Sequence, residues 1–385
     1  MVRISVALTG GLFMNQEREY ALAGVDPRLI DPFKRLMSEV GKKTLAFPTR
    51  RGVHVGQGAH GAVFSYNGGE PHLWCKTQEG LGNKNWIAEW MYQFAGTGEP
   101  YYEGIGIDTA LMAVNDVSAQ GAMPVVYTDE VAAGDSEWFR HERKPRDLAR
   151  GFFRVCEDVG MALPAGESPS LRYLIRSEPP VESAPSLSGC VTGIIAPTSR
   201  LITGNKLKVG DAIIGAPSTG LHANGATLVI KRGLALPPDY FLTRLPNGKT
   251  FGEEALIPTR SYVRLVEALL DAGVQIHKIL PGTGGGVSKI AVDRRAFTYR
   301  IHTWVEVPTL FQFMREIGVT LMDCLTTFNW GVGYYVFVPF WEVGRTIQVG
   351  RRAGYNLVEV GRVEEGDRQV IFEPEGGIKL PPPGE

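Results

Sequence analysis

The sequence is poor in cysteine, in net charge and in long apolar runs, and each shortage excludes a class of protein. Its four cysteines are too far apart for the close pairs of a zinc site or a redox dithiol, so we expect buried, reduced thiols. Forty basic residues against forty-one acidic ones leave a net charge of -1, without the basic excess typical of nucleic-acid-binding proteins. No stretch approaches the ~20 consecutive apolar residues of a membrane-spanning helix. The sequence therefore predicts a cytoplasmic protein that has neither nucleic acid nor a membrane as a partner.

Length and composition indicate two globular domains. A chain of 385 residues exceeds the soft limit of roughly 150 residues per domain, and 44% hydrophobic with 21% charged residues is typical of a folded protein. Apolar periodicity alternates between helix and strand in both halves, which predicts an α/β (α+β) fold. We place the domain boundary near 197–207, giving an N-terminal domain over 1–200 and a C-terminal domain over 201–385.

The apolar patterns also predict individual elements. Val6–Phe13 reads as a strand or a flexible arm, the glycine-rich stretch 52–69 as a loop or hairpin, and the tail 374–385 as disordered. Helices are predicted at 20–43, 102–119, 145–160, 225–232, 260–272 and 310–318. Strands are predicted at 72–76, 124–129, 189–195, 212–216 and 334–339.

Several acidic residues stand beside glycines or near helix starts and are candidate magnesium ligands, since Mg²⁺ binds a few carboxylates together with nucleotide phosphates. These residues are Glu79, Asp108, Asp116 and Glu167. Asp108 and Asp116 are two helical turns apart and could share a cleft face. Lys84 follows two glycines and could contact a phosphate, although the full phosphate-loop pattern is missing. The alternative is that each acid is a helix cap or a solvated surface residue, which is the commoner case.

Two later segments combine glycines with polar groups. The histidine turn (218–225) contains His222 and Asn224, and the glycine loop (282–286) contains Gly284 and Gly285. Each follows an apolar run and precedes a predicted helix, which leaves backbone N–H groups free to hold phosphate or carboxylate oxygens. An ordinary tight turn is the alternative for each segment, and most lone histidines are structural.

Taken in order, these segments resemble the aminoimidazole ribonucleotide synthetase family, in a superfamily with selenophosphate synthetase, thiamine monophosphate kinase and a hydrogenase maturation factor. The resemblance spans nearly the whole chain. It is carried by residues 20–26, 79–84, 106–108, 114–117, 120–122, 166–168, 220–225, 258–263, 283–286 and 327–333. The family usually has aspartate where Glu79 stands, threonine where Asn83 stands and a glycine where Ala165 stands.

The resemblance implies a two-domain enzyme with an N-terminal ATP- and magnesium-binding domain that dimerises through β-strands and a C-terminal domain that binds substrate and phosphate. It implies that ATP phosphorylates the formyl amide oxygen of formylglycinamidine ribonucleotide, after which an internal nitrogen closes the imidazole ring. The cofactors would be ATP and Mg²⁺, the protein a homodimer, and the pathway de novo purine biosynthesis.

The resemblance also assigns roles to individual residues. The implied metal ligands are Glu79, Asp108, Asp116 and Glu167. The implied nucleotide and phosphate contacts are Lys84, Asp108, Asn115, Asp116, Gly284 and Gly285. The implied catalytic residues are His222, Asn224 and Lys84.

Two alternatives stay open, namely a different ATP-dependent enzyme of the same superfamily and a catalytically silent nucleotide-binding paralogue. Selenophosphate synthesis is disfavoured because the first cysteine, Cys75, lies beyond the glycine-rich stretch.

Overall fold

Helices and strands alternate throughout the computed structural model, which describes residues 19–58 and 61–384. The helices are α1 (Pro27–Thr44), α2 (Lys84–Phe94), α3 (Tyr102–Ala119), α4 (Lys144–Val159), α5 (Ala226–Gly233), α6 (Phe251–Ala255), α7 (Val263–Asp271), α8 (Thr309–Glu316), α9 (Leu321–Thr327) and α10 (Val343–Arg352). The strands are β1 (Val53–Gly58), β2 (Gly61–Tyr66), β3 (Leu73–Gly80), β4 (Met123–Ala132), β5 (Ala162–Glu167), β6 (Ser186–Ile195), β7 (Ala212–Pro217), β8 (Lys278–Pro281), β9 (Phe297–Ile301), β10 (Val332–Val338), β11 (Val358–Glu365), β12 (Gln369–Phe372) and β13 (Ile378–Leu380).

The first half of the chain forms a four-stranded sheet in the order β3-β6-β4-β5. Neighbours are antiparallel except for β4 and β5, which are parallel and joined through α4. Helix α3 is apolar around most of its circumference, which is why it lies buried between the sheet and the second half of the chain. Helix α3 therefore belongs to the first domain and also packs against the second.

The second half forms a seven-stranded sheet in the order β13-β12-β9-β11-β7-β10-β8. Every residue of β10 is buried, as expected for an uninterrupted apolar strand that is covered on both faces. The sequence prediction of a two-domain α/β (α+β) fold is thus confirmed, while the division at residues 200 and 201 stays a prediction.

Three local predictions have different outcomes. The glycine-rich stretch forms the antiparallel hairpin β1–β2, one of its two predicted forms. The prediction of a disordered tail is wrong, because β13 pairs with β12 and completely buries Leu380. That prediction rested on the proline content of the tail and overlooked the short apolar strand β13. The predicted strand or arm at Val6–Phe13 lies outside the described residues.

Residues 19–22 are already helical and are followed by a turn at 23–24, so the predicted helix 20–43 is divided into two. Asp26 caps α1 by accepting a hydrogen bond from the Arg28 N–H at 3.0 Å, and Pro27 occupies the first helical position. Across residues 19–58 and 61–384, no helix combines the length and hydropathy needed to cross a membrane.

Candidate active site

A first acidic pair, Glu79 and Asp116, lies where the two domains meet. Glu79 is near the end of β3, and Asp116 is in the last turn of α3, where the two carboxyl groups are within hydrogen-bonding reach of each other. Burial raises the pKa of Asp116 to about 6, the nearby Lys289 ammonium opposes this rise, and Glu79 adds to it. Asp116 Oδ1 is buried and has no hydrogen-bond partner. The negative charge of this pair is therefore not fully balanced by positive groups of the protein.

Lys289 is a residue of the second domain that lies near this acidic pair. It lies in the short 3-10 helix Val287–Val292 that follows the glycine loop, and its Nζ donates a hydrogen bond to Thr283 Oγ1 at 2.7 Å. Asp116 and Lys289 both line an interdomain cleft of about 470 Å³. An acid from one domain and a lysine from the other thus face the same space.

A second acidic pair, Asp129 and Glu167, lies at the ends of the parallel strands β4 and β5. Burial, followed by the charge of Glu167, raises the pKa of Asp129 to about 7, and Asp129 Oδ1 is buried without a hydrogen-bond partner. A Cβ at position 166 would overlap the Asp129 carboxylate as it stands, so Gly166 leaves room for this side chain. A cleft of about 430 Å³ beside this pair is also lined by Lys34 and by Gln57 of the β1–β2 hairpin.

The two acidic pairs are connected by the register of the sheet. Glu79 pairs with Gly189, and Gly189 pairs in turn with Asp129, so both acids stand in one row on one face. They are two strands apart, which corresponds to about 10 Å between their backbones. An elongated polyanion that carries divalent cations could span this distance.

Lys84 and Asp108 lie apart from both clefts, in a completely buried ion pair. Lys84 Nζ is 2.7 Å from Asp108 Oδ2. Nζ also donates to the carbonyl of Ile257 at 2.9 Å, while Asp108 Oδ1 accepts from the N–H and hydroxyl of Thr259 at 2.8 and 2.5 Å. Burial raises the pKa of Asp108 and lowers that of Lys84, and the mutual attraction of the two charges opposes both shifts.

Asn115 makes the same kind of connection two turns further along α3. Its Nδ2 donates to the carbonyl of Arg260 at 3.0 Å, and its Oδ1 accepts from the N–H of Tyr262 at 2.9 Å. We call Lys84, Asp108, Asn115 and Thr259 the interdomain clasp, because their bonds join the first domain to the 257–262 segment of the second. In this arrangement the clasp residues hold protein groups, and none of their bonds is directed into the clefts.

The side chain of His222 is buried, and its backbone has a φ of 58°, a conformation that non-glycine residues rarely adopt. Its Nε2 accepts a hydrogen bond from the Thr219 N–H at 3.3 Å. Burial, followed by the charges of Lys84 and Arg260, lowers the pKa of His222 to about 3. The ring is therefore neutral near pH 7, and its one proton is on Nδ1, because Nε2 is the acceptor.

Asn224 and the glycine loop approach each other on the far side of the histidine turn. A Cβ at Gly284 would lie 3.6 Å from Asn224 Oδ1, while Asn224 Nδ2 is buried without a hydrogen-bond partner. Gly284, Gly285 and Gly286 all have positive φ, of 23°, 92° and 59°. Together these segments provide an unsatisfied amide donor beside a backbone that only glycine adopts readily.

Residues 327–333 hold the histidine turn in place through hydrogen bonds. Asn329 Oδ1 accepts hydrogen bonds from the Ser218 hydroxyl and the Gly331 N–H, each at 2.9 Å, and its Nδ2 donates to the Gly220 carbonyl at 2.8 Å. This motif therefore fixes the turn from inside the protein.

The structure brings the sequence-predicted residues together in separate groups. Asp116 lines the interdomain cleft with Glu79 beside it, Asn224 lies beside the glycine loop, and Glu167 belongs to the other cleft. Asp108 and Asp116 point in different directions, because eight residues of helix rotate a side chain by about 80°. Within residues 19–58 and 61–384, no three His, Cys, Asp or Glu side chains converge as a preformed metal site.

Two residues of the clefts were missed from the sequence. Asp129 is an acid inside the apolar run of β4, and an acid in a buried strand was a usable signal. Lys289 follows the glycine loop by three residues, and a lysine close after a glycine-rich loop was a second usable signal.

Comparison with known proteins gives two family matches along this chain. Residues 88–195 match the N-terminal domain, and residues 208–373 the C-terminal domain, of AIR synthase related protein. The chain is 32% identical to the phosphoribosylformylglycinamidine cyclo-ligase of Alkaliphilus oremlandii, over 92% of this chain and 99% of that relative. It is 30% identical to the enzyme of the same name from Pyrococcus furiosus, over 94% and 99% of the two chains.

Among solved structures, the fold is similar to that of the hydrogenase maturation protein HypE in complex with ATP. The TM-score is 0.60 at 16% sequence identity, over 94% of this chain and 96% of that one. At this identity the likeness concerns the fold alone.

Proposed function

Because the chain belongs to the phosphoribosylformylglycinamidine cyclo-ligase family of AIR synthase related proteins, we propose that it closes the imidazole ring of formylglycinamidine ribonucleotide at the expense of ATP. The observation that best supports this proposal is the pair of orphaned carboxylate oxygens on Asp116 and Asp129, each beside a second acid. Buried carboxylates with raised pKa and no partner are a stability cost, and such groups cluster at functional sites.

The residues fit magnesium in donor type and number. Mg²⁺ takes oxygen ligands, keeps several waters and binds through one or two carboxylates together with substrate phosphates. Glu79 with Asp116, and Asp129 with Glu167, would each supply two carboxylates to an ion. When bound, magnesium neutralises the negative charge of the nucleotide phosphates. The separation of about two strands between the pairs suits a triphosphate chain with its metals.

The second-domain groups would hold the substrate. Lys289 and the backbone N–H groups of the glycine loop would bind its ribose phosphate, and Asn224 Nδ2 would offer a further donor. His222 would donate its Nδ1–H to a substrate oxygen, since a pKa of about 3 makes it a poor proton shuttle at neutral pH. The interdomain clasp would fix the angle at which the two sets of groups meet.

Phosphorylation of the formyl oxygen makes it a good leaving group. The internal amidine nitrogen then forms the new C–N bond as the C–O bond breaks and phosphate departs. The products are the aminoimidazole ribonucleotide, ADP and phosphate. Alignment of nitrogen and carbon is the main task left to the protein.

We also propose a homodimer formed through the hairpin β1–β2 and the neighbouring strand β3. Val63 is 74% exposed there, and Trp74, which packs edge-on against Phe64 with ring centroids 5.2 Å apart, is 41% exposed. Val63 and the Phe64–Trp74 pair lie on opposite faces of β2, because consecutive strand residues alternate. Large apolar side chains exposed in one region of a surface are typical of a protein interface.

Turnover with Mg²⁺ and ATP, measured with and without formylglycinamidine ribonucleotide, tests the proposal, with the ring product read by mass spectrometry. We expect substrate-dependent ADP release and one aminoimidazole product per ADP. Asp116→Asn should abolish turnover, while the exposed Asp239→Asn should leave it unchanged. ATP binding without ring product would refute the cyclo-ligase.

A different ATP-dependent activity of the superfamily is the second candidate, favoured by Glu79 in the place of the family's usual aspartate. The longer side chain shifts the carboxylate at the first acidic pair, and the nucleotide site could then serve another acceptor. ATP hydrolysis that depends on some other acceptor would support this candidate.

A further inference from the structure

The C-terminal segment ends against the glycine loop. Strand β13 is the edge of the seven-stranded sheet, where Leu380, completely buried, pairs with Val370 of β12. The prolines Pro381 to Pro383 follow directly, and Pro382 is also buried. Prolines cannot continue the ladder but hold an extended backbone, so three of them reach about 9 Å beyond the strand.

Contacts at the glycine loop show where this segment arrives. A Cβ on Gly285 would lie 3.7 Å from Pro383 Cβ and 3.6 Å from Lys289 Cβ. Gly285 therefore sits between Lys289, a residue of the interdomain cleft, and the C-terminal prolines. The neighbouring Gly284 faces Asn224, and a Cβ on Gly286 would overlap the Leu325 carbonyl of α9. Each glycine of the loop is thus bounded by a different segment.

We propose that residues 381–384, the proline tail, are a positioning element that forms one wall of the glycine loop and holds it in the conformation that binds a sugar phosphate. This inference rests on the proposed function of the loop. The tail lies beyond the C-terminal family match, which ends at residue 373.

Three consecutive glycines have many alternative conformations, and ordering them on ligand binding is entropically costly. A wall that removes those alternatives before the ligand arrives increases affinity by preorganisation. Proline is well suited to this position, because it is stiff and adds no backbone N–H that would compete with the loop's own donors.

The test compares the full chain with a chain that ends at Leu380, which keeps β13 but lacks the tail. A chain that ends at Pro383 is the matched control, and Pro383→Gly in the full chain is a second variant. Hydrogen exchange is followed in a peptide covering 282–289, with and without ribose 5-phosphate. Michaelis constants are measured separately for formylglycinamidine ribonucleotide and for ATP.

We expect exchange in 282–289 to be about tenfold faster without the tail, with an intermediate rate for Pro383→Gly. The Michaelis constant for the ribonucleotide should rise about five- to tenfold while that for ATP is unchanged. Unchanged exchange in both variants would overturn the proposal, whatever the kinetics. If the full chain itself does not turn over the ribonucleotide, the proposed function fails, and the exchange rates still decide whether the tail orders the loop.

Discussion

Replacing Lys84 by methionine should destabilise the protein strongly, because it leaves the buried Asp108 carboxylate without its counter-charge. Both side chains are completely buried, and their contact of 2.7 Å is the charged centre of the interdomain clasp. Methionine keeps the apolar stem of the lysine and removes only the ammonium. The hydrogen bonds from Thr259 to Asp108 remain, while the bond from Nζ to the Ile257 carbonyl is lost together with the charge.

Removing one partner of a buried ion pair typically costs about 3–5 kcal/mol. For domains of 150–250 residues, 1 kcal/mol shifts the melting temperature by about 2–4 °C, so Lys84→Met should lower it by about 6–20 °C. The loss should depend on pH. In this variant burial holds the pKa of Asp108 above its unfolded value of about 3.9, so folding stability falls by about 1.4 kcal/mol per pH unit from pH 4 up to the folded pKa.

Thermal and urea unfolding at pH 5 and pH 8 measure both effects. The double variant Lys84→Met, Asp108→Asn should be more stable than Lys84→Met at pH 8, because a neutral amide leaves no unpaired charge. Lys231→Met, at an exposed lysine of α5, should stay within about 0.5 kcal/mol of the original. Equal stability of the single and double variants, or a loss that does not grow with pH, would refute the reasoning.

Three further predictions concern the clefts and the dimer. Asp129→Asn should make the ligand-free protein more stable at pH 8, because a pKa raised to about 7 costs the folded state up to about 4 kcal/mol above that pH. The same variant should lose the rise in melting temperature that magnesium and ATP cause in the original protein. A rise that persists in the variant would count against the second acidic pair as a metal site. His222→Ala should slow turnover by about tenfold to a hundredfold without moving any pKa between 5 and 8 in the pH–rate profile, and His222→Asn should recover part of the rate. Loss of one limb of the pH–rate profile in the alanine variant would instead assign the histidine a proton-transfer role. Val63→Asp should yield a monomer by light scattering, whereas Val209→Asp, at a half-exposed position of the second domain, should not; two unchanged dimers would exclude the proposed interface.

The fold was largely predictable because its elements carry strong local signals. The buried strand β10 is a continuous apolar run, β4 begins with one over 123–127, and α4 and α7 have the expected 3.6-residue period. The order of strands in the two sheets was not predictable, because pairing between distant segments leaves no local pattern. The tail was mispredicted for the opposite reason, since three residues that form β13 carry little signal beside many prolines and glycines.

The histidine turn and the glycine loop were predictable as turns that combine glycines with polar groups, while their contact with a ligand stays a prediction. What the sequence could not supply was the grouping of the acids. Asp129 joins Glu167 only because β4 and β5 are adjacent and parallel, and it stands in one row with Glu79 only because β6 lies between β3 and β4. Both relations depend on long-range pairing.

Asp108 and Asp116 show how two acids of one helix come to have different tasks. Asp108 has an ammonium at one carboxylate oxygen and two Thr259 donors at the other, so its negative charge is met within the protein. Asp116 has an oxygen without a hydrogen-bond partner, a neighbouring acid and a pKa of about 6, so its charge is available to a bound cation. Their spacing along α3 turns one toward the clasp and the other toward the cleft. A helix fixed to the second domain through Asp108 therefore holds Asp116 at a constant distance from Lys289, and the buried ion pair contributes to the geometry of a site that it does not touch.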